Sequence, residues 1–228
     1  MRWCIRTHAH ALPSRRPAGW HLWGALALRL ATPIAVIALP FVVLVRGAVL
    51  LYESAHWPSS LALLASGVAM IGVLALYGAL ASRRLTGRAR LGWVARWVAL
   101  PLVAGFLIRG LTYLDRSHAQ SESIRAEYRD THPLLRMALA TLDLADDRLV
   151  VTDMSRSAAD YTRMGLPVVA NTMHGVQRDG WVHAVDIHTA GRGLIVNLLV
   201  QGYFELMGFR TLRHVGTADH LHVELPLR

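Results

Sequence analysis

Six of the twelve histidines of this 228-residue chain fall between His174 and His222, and carboxylates are interleaved with them. The segments are Thr172-Met173-His174, then Ala184-Val185-Asp186, then Asp219-His220-Leu221-His222-Val223-Glu224. Neutral imidazole and carboxylate are groups that Zn2+ accepts as ligands, and a catalytic zinc site takes three of them while leaving a fourth position for water. Zinc brings the pKa of that water near neutrality, and a nearby base can then take its proton as the hydroxide attacks a carbonyl carbon. One histidine in a strand is more often a surface or hydrogen-bonded core residue. The set of groups, rather than any one of them, points to a metal.

Strands and helices must bring these groups together. Side chains alternate faces along a strand, so His220, His222 and Glu224 are expected on one face of a last strand over His220 to Leu225. Asp186 lies in a strand expected over Trp181–Ile187. Further strands are expected over Arg148–Thr152 and Phe209–Val215. Helices are expected from Thr131, as N-cap ahead of Pro133, to about Ala145, over Ser157–Met164, and over Ala190–Met207. Gly165 and Gly208 would close the last two. The order helix, strand, helix, strand, helix, strand, strand fits a small α+β domain with a mostly antiparallel sheet over 131–228, after a polar tether over 115–130.

Upstream, the chain is 54% hydrophobic with positive mean hydropathy, which raises membrane spans at once. Three apolar stretches, about 31–52, 60–82 and 93–114, each approach the ~20 residues that a bilayer core requires. The first begins too late, and is followed by too many others, to read as a cleaved signal peptide. Arg2, Arg6, Arg15 and Arg16 precede the first span, Arg83, Arg84, Arg88 and Arg90 join the second to the third, and the segment 53–59 carries no arginine. An excess of positive charge marks cytoplasmic loops. Three crossings then deliver the C-terminal domain to the outer, periplasmic side of an inner membrane. The formal charge of +9 belongs mostly to these flanks, so a lipid-facing role explains it better than nucleic-acid binding, which is not expected. A lone Cys4 permits no internal disulfide.

The three metal-type segments, in this order, resemble the zinc D-alanyl-D-alanine peptidase family, which includes vancomycin-resistance carboxypeptidases, murein endopeptidases and the hedgehog signalling domain. By that resemblance His174, Asp186 and His222 are the zinc ligands. His220 stands beside the water to assist proton transfer, and Arg156, in Val151-Thr-Asp-Met-Ser-Arg-Ser157, contacts the substrate. The resemblance covers roughly Leu149 to Leu225 and none of the membrane part. Two departures stand out. Eleven residues, 175–185, separate His174 from Asp186 where the family usually has six, as though Gln177–Val182 had been inserted. His188, or less readily His183, is therefore an alternative ligand to His174. The family's usual C-terminal base is also missing, which leaves His220, Asp219 or Glu224 for that duty. Asp219 and Glu224 are also candidates to orient the ligand imidazoles.

The resemblance implies a membrane-anchored zinc peptidase acting on peptidoglycan stem peptides, as a D,D-carboxypeptidase or endopeptidase. The alternative is a non-catalytic domain of the same shape that binds metal or wall peptide, since a fold alone does not fix activity.

Overall fold

In a computed structural model, the structure describes residues 19–163, 165, 167, 172–216 and 219–227. Arg2, Arg6, Arg15, Arg16, Cys4, Met164, Thr217 and Ala218 lie outside the described residues. The chain divides into two units, residues 1–38 and 39–228.

Among the described residues, three helices are long and apolar enough to cross a membrane. Helix α1 spans Gly19–Ser54, its apolar stretch being Ala31–Ser54, and α2 spans Ser59–Thr86. The third, Leu91–Thr112, is built from α3 (Leu91–Val94), a π turn (Ala95–Ala99) and α4 (Leu100–Thr112). Pro101 has no N–H to offer the carbonyl four residues back, and the wider turn stands just before it. Leu64, Val68, Leu76 and Leu80 on α2 are exposed, which suits a helix whose solvent is lipid.

The remainder is α+β. Its elements are α5 (Glu122–Glu127), α6 (Pro133–Asp143), β1 (Val151–Asp153), α7 (Ala158–Arg163), β2 (Ala184–His188), α8 (Leu194–Met207), β3 (Arg210–His214) and β4 (His220–Glu224). The four strands form one antiparallel sheet in the order β1-β2-β4-β3. Along β4 the pattern is strictly alternating. Leu221 and Val223 are buried in the core, while His220, His222 and Glu224 stand half-buried on the other face. Val200, Phe204 and Met207 of α8 and most of α6 fill the core face.

Two local expectations are corrected. The N-cap of α6 is His132 rather than Thr131, its Nδ1 accepting the Leu134 N–H at 3.2 Å. The 115–130 segment, expected as a tether or a helical extension of the third span, carries the short helix α5 and is mostly exposed, with His118 and Tyr128 buried. Tyr128 is buried, and its hydroxyl donates to the carbonyls of Gly110 (2.6 Å) and Arg136 (3.1 Å), because a buried phenol needs a partner.

The span ending at Thr112 and helix α6 touch closely. A Cβ on Gly110 would stand 2.9 Å from the Met137 sulfur and 3.0 Å from the Ala140 Cβ. Gly110→Val should therefore overpack this joint and cost about 1–3 kcal/mol. Thermal unfolding of the detergent-solubilised chain checks this; an unchanged midpoint would mean that the contact is loose.

Candidate metal centre

The register of β2 on β4 sets the site. Asp186 pairs with His222 and His188 with His220, so these side chains share the face of the sheet away from the core. His174 arrives from the loop before β2. Its carbonyl accepts the Arg156 backbone N–H at 2.9 Å, and its Nδ1 lies 2.8 Å from the Met154 carbonyl. A carbonyl only accepts, so Nδ1 carries a proton and Nε2 faces the site, offering a lone pair when the ring is neutral and donating to Asp186 when it is protonated. That nitrogen is 3.2 Å from Nδ1 of His222 and 3.2 Å from Oδ1 of Asp186, and the third side of the triangle, His222 Nδ1 to Asp186 Oδ1, is 2.8 Å. These three residues can hold a metal ion.

Burial alone would raise the Asp186 carboxyl. Hydrogen bonds from His174 and His222, with the charges of His174 and Arg156, outweigh it and hold that carboxyl well below the usual carboxylate range. The hydrogen bond to Asp186 raises the His222 imidazole against the opposing effect of burial.

Arg156 does not stand free to meet a substrate, as the resemblance implies. A bulge in β1 brings Asp153 opposite Asp186, and two neighbouring carboxylates need a cation between them. Arg156 supplies it: Nε is paired with Asp153, and Nη2 donates to Asp186 Oδ2 at 2.6 Å. With Oδ2 so held, Oδ1 is the oxygen turned to the two imidazoles.

The other sequence candidates sort by distance. Nε2 of His220 lies 3.7 Å from Asp186 Oδ2, and its ring stacks on His214 at 4.7 Å. Glu224 Oε2 is 3.6 Å from His222 Nε2, behind the ring rather than on the ligand side. Asp219 is engaged elsewhere, accepting from the Thr189 hydroxyl at 2.5 Å and facing Arg213 at 3.5 Å. His188 is exposed beside the cluster, and His183 is buried away from it. His174, rather than either alternative, is the histidine that meets Asp186 and His222.

His183 belongs to a second group that sequence reasoning missed. The segment between His174 and Asp186 turns at Gln177–Gly180, with Gly180 N–H on the Gln177 carbonyl, and places Asp179 Oδ2 2.8 Å from His183 Nε2 and 3.9 Å from His132 Nε2. The i,i+4 spacing of Asp179 and His183 was the available signal; nothing in the sequence joined His132 to it. By composition this group too can hold a metal. Its tautomers argue otherwise, because Nδ1 of His132 accepts the Leu134 N–H and the proton of the neutral ring then sits on the nitrogen facing Asp179. It reads as a buttress in which Asp179 and His183 are hydrogen-bonded and the His132 ring packs on that of His183 at 4.7 Å.

Asp179→Ala should cost about 1–3 kcal/mol, the penalty for stranding buried polar partners. Burial raises the Asp179 carboxyl, but the His183 hydrogen bond and charge outweigh it and the net shift is downward. A depressed folded value contributes stability above the ordinary carboxylate range, and that stability is lost as pH falls through the folded value. The gap between the Asp179→Ala and parent unfolding midpoints should thus narrow on acidification; a gap constant with pH would contradict the ion-paired reading.

Comparison of the chain with protein-family models, with curated proteins and with solved structures found no match.

Proposed function

We propose that this is a membrane-anchored, zinc-dependent peptidase that cleaves peptidoglycan stem peptides on the outer face of the inner membrane. The observation that carries the metal is the triangle of lone-pair atoms at 2.8–3.2 Å. Ligands at the zinc–nitrogen and zinc–oxygen distances of about 2.0–2.1 Å stand about 3.3–3.4 Å apart in a tetrahedron. Small relaxation therefore suffices to admit the ion. The donor set is borderline to hard, two imidazoles and one carboxylate, and a polar partner stands behind each ligand: Met154 O behind His174, Glu224 behind His222, Arg156 behind Asp186.

His174, Asp186 and His222 would hold the zinc ion, which when bound would supply a water-derived nucleophile at neutral pH and polarise the carbonyl under attack. His220, half-buried beside Asp186, takes the proton at Nε2 and returns it to the leaving amine. Arg156 keeps Asp186 one-pronged, and Glu224 steadies the His222 ring. The arginines of the 83–90 segment, against none in the segment between α1 and α2, support placing this domain opposite the cytoplasm.

Zinc must displace the proton that His222 holds above its ordinary value of 6.5. Affinity should therefore rise with pH through that raised value and then level off, and zinc uptake near neutrality should release protons. Calorimetry in two buffers of different ionisation enthalpy measures this; uptake without proton release would contradict it.

A second reading is favoured by one observation. Both Nε and Nη2 of Arg156 are spent on protein carboxylates, as suits a domain that binds metal without hydrolysis. Digestion of purified muropeptides separates the two. Product formation lost with zinc removal supports the peptidase, and one equivalent of zinc with no product from any muropeptide supports the binding domain.

A further inference from the structure

Helix α8 carries an apolar stripe that the domain does not cover. Leu194, Ile195, Leu198, Leu199 and Leu206 are 54–74% exposed, and Gly202 lies among them. At 100° per residue this stripe is opposite Asn197, Val200, Phe204 and Met207, which face the core. The helix's one charged residue, Glu205, is bonded to Gln201 and Thr211. A patch of this kind on a soluble face would be an aggregation liability.

What covers it is indicated by its neighbour. Gly208, the left-handed residue (φ 101°) that ends α8, abuts α1, where an added Cβ would collide with Arg46 and Val49. Both residues belong to the Ala31–Ser54 stretch that is apolar enough to cross a membrane. The C-terminal end of α8 is thus beside a helix apolar enough to cross a membrane. At 14 residues α8 is about 21 Å long, too short for a hydrocarbon core of about 30 Å. It can lie along the membrane plane but not cross.

We propose that α8 lies in the outer bilayer interface with this stripe among lipid acyl chains, a fourth membrane contact made by the domain itself. This rests on the spans crossing the bilayer and is independent of zinc or hydrolysis. The stripe and the metal centre are on opposite sides of the sheet, since α8 packs on the core face and Asp186, His220 and His222 occupy the other. A bilayer-bound α8 therefore turns the site away from the lipid. The substrate class that suits this orientation is peptide of the assembled wall rather than peptide still attached to a membrane lipid.

The test uses the full chain in vesicles of phosphatidylethanolamine and phosphatidylglycerol. With Cys4→Ser as background, single cysteines at Ile195, Leu199 and, on the site face, Leu212 carry an environment-sensitive fluorophore. The expected result is that Ile195→Cys and Leu199→Cys are quenched at least twofold by doxyl-labelled lipid and shielded from aqueous iodide, while Leu212→Cys shows the reverse. Iodide reaching both α8 positions without doxyl quenching would overturn the proposal. So would shielding from both quenchers together with disulfide-linked dimers, which would make a second copy the cover. Doxyl quenching at Leu212 but not on α8 would invert the orientation and overturn it too. Zinc content, measured on the same samples, reports the metal centre separately.

Discussion

His222→Ala should abolish hydrolysis of wall peptide and strip the domain of zinc together. The imidazole supplies one edge of the ligand triangle and stands directly opposite Asp186 across the β2–β4 ladder. Without it two ligands remain, and the ion that generates a nucleophile from water at neutral pH is lost. Rates should fall by at least about 10^4-fold, more than 5 kcal/mol at 1.36 kcal/mol per decade. The side chain is on the face of the sheet away from the core and 19% exposed, so the fold should persist. Muropeptide turnover, zinc content and the unfolding midpoint, measured on one preparation, check this. Loss of turnover with zinc fully retained would move His222 from ligand to some other role, and unimpaired turnover would remove it from the site.

Arg156→Ala should be the most destabilising single change near the centre. It leaves Asp153 and the buried Asp186 facing each other across neighbouring strands with no cation between them. Removing one member of a buried pair costs about 3–5 kcal/mol, much of it from the charge left behind. Arg156→Lys keeps the charge but not the two-pronged reach, so it should recover part of the stability while the carboxylate is held less firmly. Zinc affinity in the lysine variant should fall about 10–100-fold, the range for a lost outer-shell partner. A substrate-binding arginine behaves differently: KM would rise with zinc affinity and unfolding midpoint unchanged. Competitive zinc titration beside thermal unfolding distinguishes the two.

Much of the frame could be read from residue pattern alone. Alternation along 220–224 put two histidines and Glu224 on one face, and the short Ala-Val-Asp segment met them in register. The apolar spans and the antiparallel α+β domain also followed from periodicity, charge and turn residues. What escaped was set by contacts between distant segments. His174 sits in a loop whose position depends on Met154 and Arg156, which no spacing rule encodes. The pairing of Arg156 with Asp153 and Asp186 could not be read, because the β1 bulge that brings Asp153 opposite Asp186 leaves no mark in three residues of strand. The buttress of His132, Asp179 and His183 joins a helix cap, the turn at Gln177–Gly180 and the residue before a strand, and the cap itself lies one position later than the sequence suggests.

The central claim is that His174, Asp186 and His222 hold one zinc ion. Elemental analysis with zinc-edge X-ray absorption on the full chain in detergent tests it most directly. The expected result is one zinc per chain, with nitrogen and oxygen neighbours only, at about 2.0–2.1 Å, and loss of that zinc in Asp186→Ala and His174→Ala but not in Asp179→Ala. No bound zinc, or zinc kept at full stoichiometry when Asp186 or His174 is removed, would contradict it.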